Sequence, residues 1–598
     1  MKILIEDQEY QVSDVKEILE GIMPLENKGV VRLRYVGYLY NRDISDCIFF
    51  LPKVILDADG KIFHRYMPRD IIDIEKMAGD DGLTSEEKTF LYSFSVWVYQ
   101  AVNVYNARNQ ENHIVMKKSI LDLDSSINEV HVTILDTILA LLRFAEENKN
   151  FLLFTVRNMH AGYNRVNWMQ TISHRRPIIR QGKAPIYINP INRKKDVDYE
   201  EELLVIFFSL MNYINSRYGF RCSVNPNFEL IPQQQFAKYI NGYGIQRLRE
   251  IKYKYFSDKA LKIWKLCYSF FAMSEKINSS SSVDDFLVAI DFDRVFEAII
   301  DDLIGQKEAE YPDYLKTQKD GKEVDHIFKY ESLTDAGHEM FYIGDSKYYK
   351  TGKGVHGNSE YKQYTYAKNV IQANIDLMLQ HNHGNLVRDE FIVYRDEKTE
   401  GYNITPNFFI FAQIGDDFSY FDDRIEHRPD NDTLKVHFDN RLFDRDTLML
   451  SQYDVNFLYV ITLYANSNDY SKEVYREKVR QMFREETLKR LNSRYSFYVL
   501  ELKQKPQAGE ERQALDAALN PIFRLINGKV LCPKSDESYT NLILALEKPE
   551  VTESYRTICQ KENQKVLEAV ETSFYVHNGY MIGCDIDVFL RKLKNNNT

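Results

Sequence analysis

The segment FYIGDSKYYK, residues 341–350, sets a carboxylate and an ammonium two positions apart at the end of an apolar run. Met340, Phe341, Tyr342 and Ile343 read as a buried strand, and Gly344 leads into Asp345, Ser346 and Lys347. Side chains alternate along a strand, so Asp345 and Lys347 share one face and Ser346 takes the other. Opposite charges at the end of a buried strand are costly unless a further group uses both. A divalent cation would use both. Mg2+ takes one or two protein carboxylates and completes its shell with water and phosphate oxygens. Asp325, in the strand-like segment KEVDHIFKY, offers a second carboxylate, and Glu297 a third. Glu297, Asp325 and Asp345 are therefore the candidate metal ligands. Lys347 would orient or deprotonate the metal-bound water, or neutralise charge building on phosphorus. Mg2+ is the expected cofactor, with Mn2+ as its substitute.

The elements that must hold these groups are legible nearby. A helix is expected over about 284–305, because Phe292, Val295, Phe296, Ile299, Ile300, Leu303 and Ile304 form one apolar stripe. Glu297 falls at the margin of that stripe, where it either leans into a cleft or stays a solvated surface residue. Strands are expected near 322–330 and 339–346, a helix near 358–380, strands near 390–395 and 407–413, and a charged helix near 470–492. Asp is depleted in strands, so Asp325 is either functional or a strand-end turn contact. The helix after Asp345 carries Lys362 and Gln363, read either as site residues or as solvated polar positions. Lys347, Lys350, Lys353, Lys362 and Lys368 make a basic cluster beside the carboxylates, suited to a phosphate backbone. His381 and His383 resemble a ligand pair, but no Cys or third His accompanies them at metal spacing, and an exposed turn is the favoured reading. His326 is expected on the face opposite Asp325, packed on the core.

A chain of 598 residues with 44% apolar and 28% charged residues is a multidomain globular protein. The fold class expected is α+β: a β-rich N-terminal domain at 1–75, a mainly helical region at 76–278, an α/β core with a mixed sheet at 283–500, and an α/β extension at 501–598. Asn278 and the serines at 279–282 are the best linker candidate. The net charge of −11 argues against a uniformly basic nucleic-acid coat but leaves room for local patches. One such patch is 157–195, with nine Lys or Arg and no Asp or Glu. It includes Arg175, Arg176 and Arg180, with Trp168 and Tyr187 among them; it suits either DNA phosphates or an acidic protein partner. Six scattered cysteines without a CxxC pair point away from zinc ribbons and disulfide scaffolds and toward a reducing cytoplasm. The run LLVIFFSLMNYI (203–214) is too short to span a bilayer and reads as a buried helix. No membrane role is expected. No GxxxxGK[ST] phosphate loop is present.

The order helix-Glu, strand-Asp, strand-Asp-x-Lys resembles the PD-(D/E)xK nuclease superfamily, although Val324 stands where that motif has Pro. Within it, the chain resembles the LlaJI-type restriction endonucleases, relatives of McrC. The likeness rests on FFLPKVIL, GYNRVNWMQTI, DHIFKY, FYIGDSKYYK, YKQYTYAK and LSQYDVNFLYVITLYA, spread over about residues 30–530. The resemblance implies a Mg2+-dependent DNA endonuclease subunit of a restriction system. Its catalytic set would be Glu297, Asp325, Asp345, Lys347 and Gln363, and its DNA contacts Lys350, Lys353, Lys362, Arg175, Arg176 and Arg180. It also implies a McrB-like AAA+ GTPase partner docked on the N-terminal region, and pairing of nuclease domains on double-stranded DNA. Two other readings stand beside it: a non-catalytic adaptor or GTPase activator with a nuclease-like domain, and a stand-alone nuclease for branched or damaged DNA.

Overall fold

The computed structural model describes residues 1–19, 29–41, 44, 46–74, 76–77, 82–109, 113–118, 133–149, 155–161, 165–179, 181–197, 201–218, 220, 224–279, 285–306, 313–317, 323–334, 339–350, 357–379, 395–396, 398–428, 433–436, 438–465, 469–533, 540–551 and 555–596. They form two units. The first comprises Met1–Leu51, Arg69–Tyr99 and Asn112–Ile290; the second comprises Pro52–Pro68, Gln100–Glu111 and Asp291–Thr598. Each unit draws on separated stretches of sequence, because distant strands pair. The segment DFLVA, Asp285–Ala289, is a strand rather than the start of a helix, and it pairs antiparallel with Val36–Asn41.

The first unit is built on a five-stranded sheet in the order Lys2–Ile5, Asp46–Leu51, Val36–Asn41, Asp285–Ala289, Val115–Lys118. Val36–Asn41 is buried at every position, as suits a central strand covered on both faces. Gly37 permits its close pairing: φ is +141°, and a Cβ there would run into the Leu287 carbonyl. Helices pack beside this sheet. Ile134–Glu147 starts with a capping box between Thr133 and Asp136, and Asp285 Oδ2 accepts from the Ile134 amide at 2.9 Å. The run at 203–214 lies in the helix Glu202–Tyr218, and Leu203, Leu204, Ile206, Phe207, Phe208, Leu210, Met211 and Ile214 are buried. A separate hairpin, Thr155–Ala161 with Ile191–Val197, brackets the basic stretch.

The second unit centres on a mixed sheet in the order His326–Glu331, Glu339–Lys347, Pro406–Gln413, Leu448–Asn456, Ile425–His427, with Thr433–Lys435 also on Leu448–Asn456. The first pair is antiparallel; Glu339–Lys347, Pro406–Gln413 and Leu448–Asn456 run parallel. Pro406–Gln413 is buried from Pro406 to Ala412, the continuous burial that a central parallel strand requires. The helix Phe292–Leu303 buries Phe292, Val295, Phe296, Ile299, Ile300 and Leu303, the stripe that the sequence spacing dictates. Gly357–Leu379 follows Glu339–Lys347, and the charged helix spans Asp469–Arg494. The C-terminal part is a four-stranded antiparallel sheet in the order Val530–Leu531, Leu542–Glu547, Tyr495–Leu502, Phe574–Tyr580. Its core includes Leu500, Leu515, Leu544, Val566 and Phe574.

Two stretches far upstream in sequence are part of this unit. Lys53 Nζ lies 4.8 Å from the ring centre of Tyr348, and Arg108 bonds Asp302 at 2.7 Å. Among the described residues no helix is long and apolar enough to cross a membrane. None of the five described cysteines forms a disulfide, and Cys222 lies outside the described residues.

Candidate active site

Asp345 and Lys347 occupy the C-terminal end of Glu339–Lys347, and Lys347 Nζ donates to Asp345 Oδ2 at 2.5 Å. This is the same-face pairing that alternation requires. Asp345 is 3% exposed; an ion pair so buried gains strength from its low-dielectric surroundings but loses solvation at both partners. The Lys347 ammonium also lies 5.0 Å from the centre of the Phe409 ring on the neighbouring parallel strand. The site therefore forms at the carboxyl ends of parallel strands, where open sheets leave a crevice for ligands.

Asp325 is half-buried and stands one residue before the strand His326–Glu331, not within it as expected. The antiparallel register pairs His326 with Gly344, so continuing it sets Asp325 opposite Asp345. The two carboxyl groups are close enough to act on each other electrostatically. Burial, followed by the Asp345 charge, holds the Asp325 carboxyl far above the usual carboxylate range. Glu297, half-buried on Phe292–Leu303, is pushed up to about 7, first by burial and then by the charges of Asp293 and Asp345, with Arg294 and Lys347 opposing. Glu297, Asp325 and Asp345 thus lie within one another's electrostatic range. They do not form a closed coordination set: among the described residues no group of three or more His, Cys, Asp or Glu could hold a metal ion as it stands.

Gln363 lies on Gly357–Leu379 and is fully buried. Its amide oxygen and nitrogen lack a hydrogen-bond partner among the described residues, while its backbone carbonyl accepts from Asn407 Nδ2 at 3.2 Å. Lys362, next to it, is exposed. Burial lowers the pKa of its ammonium, but the Tyr366 hydroxyl and the charges of Asp325 and Asp345 outweigh that and raise it. Lys350 is half-buried just beyond the Asp345 strand. Lys353, and the histidines at 381 and 383, lie outside the described residues. Arg175 and Arg176 are exposed in the first unit, after the helix Trp168–His174, and Arg180 lies outside the described residues. The basic residues expected to contact DNA are therefore divided between the two units.

One set of contacts escaped the sequence reading. His326 is completely buried, its Nε2 lies 2.5 Å from Ser346 Oγ, and its Nδ1 lies 3.3 Å from Asp301 Oδ1. A core histidine was legible; its partners, 20 and 25 positions away, were not, because only the strand register brings them together.

Fold and site together define a multidomain α+β protein with an acidic cluster and one lysine at strand ends. Residues 123–416 match the model of the LlaJI restriction endonuclease family, so over that region the chain is similar to the LlaJI-type restriction endonucleases. The matched region takes in Glu297, Asp325, Asp345, Lys347 and Gln363. It supports a nuclease of a restriction system, a hydrolase acting on DNA. No curated protein matches the chain.

Proposed function

We propose that this chain is the cleaving subunit of a restriction system, a divalent-metal-dependent endodeoxyribonuclease driven by a McrB-like AAA+ GTPase partner. The observation that carries the reading is the crowding of Asp325 and Asp345 against each other, beside Glu297, with Lys347 as the adjacent cation. Hard carboxylate oxygens on adjoining strands are the donor chemistry of Mg2+ or Mn2+. Mg2+ needs only one or two of them, so the donor set fits although it is not closed. Asp325 and Asp345 would hold the ion, with Glu297 as a third ligand, direct or through water. When bound, the ion would lower the pKa of its water and offset negative charge on the phosphodiester.

The remaining roles belong to the chain itself. Lys347, beside Asp345, would present its ammonium toward the phosphate oxygens and stabilise charge in the transition state. Gln363 supplies an amide that can orient water or phosphate once its desolvation is compensated. Lys350, Lys353 and Lys362 grip the scissile backbone, and Arg175, Arg176 and Arg180 make a second, separate DNA contact. Two nuclease units acting together would cut both strands.

The test is cleavage of DNA by the chain with its partner, GTP and Mg2+. Asp345→Asn and Lys347→Ala should each reduce cutting by at least about a thousandfold with circular dichroism unchanged. Normal cutting by both variants would remove the chemistry from this site. GTP hydrolysis stimulated without any cutting by the parent chain would identify an adaptor instead, and full cutting without partner or nucleotide a stand-alone nuclease.

A further inference from the structure

Behind the carboxylates lies a second polar chain. The Ser346 hydroxyl contacts His326 Nε2 at 2.5 Å, His326 Nδ1 contacts Asp301 Oδ1 at 3.3 Å, and Asp301 Oδ2 accepts from Lys316 Nζ at 2.5 Å. Asp301 is an acceptor, so Nδ1 carries the proton donated to it, and in the neutral ring Nε2 accepts from Ser346. Hydroxyl, imidazole and carboxylate thus stand in the order of a hydrolytic triad. Access decides against that use. Ser346 is 7% exposed and His326 0%, so the hydroxyl is closed to a substrate.

The placement of its members says what the chain is for. Asp301 lies one helical turn from Glu297 on Phe292–Leu303. His326 directly follows Asp325, and Ser346 sits between Asp345 and Lys347. Each member therefore neighbours one member of the acidic cluster: Asp301 shares a helix with Glu297, Ser346 a strand with Asp345, and His326 begins the strand that Asp325 precedes. Lys316 extends the chain by one link: its carbonyl accepts from the Val324 amide at 2.9 Å, one residue before Asp325. Strand alternation turns Ser346 away from the face of Asp345 and Lys347, so the bracket fixes these residues without occupying their site.

We propose that Asp301, His326 and Ser346 are positioning residues, a buried hydrogen-bonded bracket that sets the spacing of Glu297, Asp325 and Asp345 for a divalent cation. The proposal rests on the metal-site reading above. Groups that orient metal ligands from behind typically change affinity or activity by about 10–100-fold. Loss of the bracket therefore acts on ion binding and turnover, not on the grip on DNA.

The experiment measures Mn2+ binding by calorimetry in the full-length chain without DNA, then DNA cleavage by the chain with its partner. Ser346→Ala and Asp301→Ala should each weaken Mn2+ binding about tenfold and lower kcat by a similar factor, leaving KM for DNA unchanged. Ser346→Thr, which keeps the hydroxyl on a strand-favouring residue, and Asp301→Asn, which keeps an acceptor for Nδ1, should recover most of both. The double variant Ser346→Ala with Asp301→Ala should lose less than the product of the single losses, because both break one chain. Wild-type Mn2+ binding and kcat in the alanine variants would overturn the proposal. So would losses that follow thermal stability alone, with no rescue by Thr or Asn. Mn2+ binding that survives Asp345→Asn would instead overturn the metal-site reading itself.

Discussion

Lys347 is the cation that pairs with Asp345, and Asp325 and Glu297 share the same neighbourhood without a comparable ion pair among the described residues. Such crowding makes the metal-free site a source of instability. The Glu297 carboxyl is raised from 4.5 to about 7, so the stability linked to it is full below pH 4.5 and is lost as pH rises through about 7. Glu297→Gln should therefore match the parent Tm near pH 4 and exceed it near pH 8 in chelator-treated buffer, by calorimetry. Asp325→Asn removes one of two neighbouring carboxyls and should stabilise the metal-free chain by about 1–2 kcal/mol while ending cleavage, the trade common at functional sites. Saturating Mg2+ should erase the advantage of both variants, because the ion stabilises only the parent. Gln363 gives a parallel case. Its buried amide goes unanswered among the described residues, a deficit of about 1–3 kcal/mol. Gln363→Met should raise the urea midpoint and slow cutting. Equal midpoints would mean that the amide is satisfied in solution.

The element that sets the site is the strand Glu339–Lys347. Its apolar run and its DxK end were legible because two-residue alternation assigns faces without knowledge of any partner. The helix stripe from Phe292 to Leu303 was legible for the same reason at a period of 3.6. Pairing partners were not legible. Nothing local in DFLVA says that it joins Val36–Asn41, about 250 positions upstream, and its apolar residues fit the adjoining helical stripe equally well. Asp325 was read as a strand residue because Val324 and Ile327 flank it; the strand begins only at His326. The tightness of the sheet around Gly344 was also hidden. A Cβ there would enter the ring of Phe408 on the adjoining parallel strand. Gly344→Ala should cost about 1–3 kcal/mol in denaturant unfolding and, by displacing Asp345, lower cleavage as well. An unchanged midpoint would show that the Phe408 ring moves aside.

At the scale of the molecule, the second unit is assembled from three stretches of chain, and two of them lie before residue 112. His64 contacts Asp57 at 2.9 Å and Asp416 at 3.2 Å, and Arg108 reaches Asp302. A fragment beginning at Asp291 lacks these segments, and it should lose its cooperative urea transition, whereas the full chain retains one. A sharp transition in the fragment would show that Pro52–Pro68 and Gln100–Glu111 are dispensable. Composition pointed to a multidomain globular chain, but a unit assembled across such distances leaves no mark in linker-like segments. The proposed cleavage requires a divalent ion at Asp325 and Asp345. Anomalous diffraction from crystals of the full chain soaked in Mn2+ tests this most directly. It should show a peak bounded by the carboxylates of Asp325 and Asp345, with Glu297 next to it. A soaked crystal of cleavage-competent protein with its Mn2+ peak elsewhere and these carboxylates bare would contradict it.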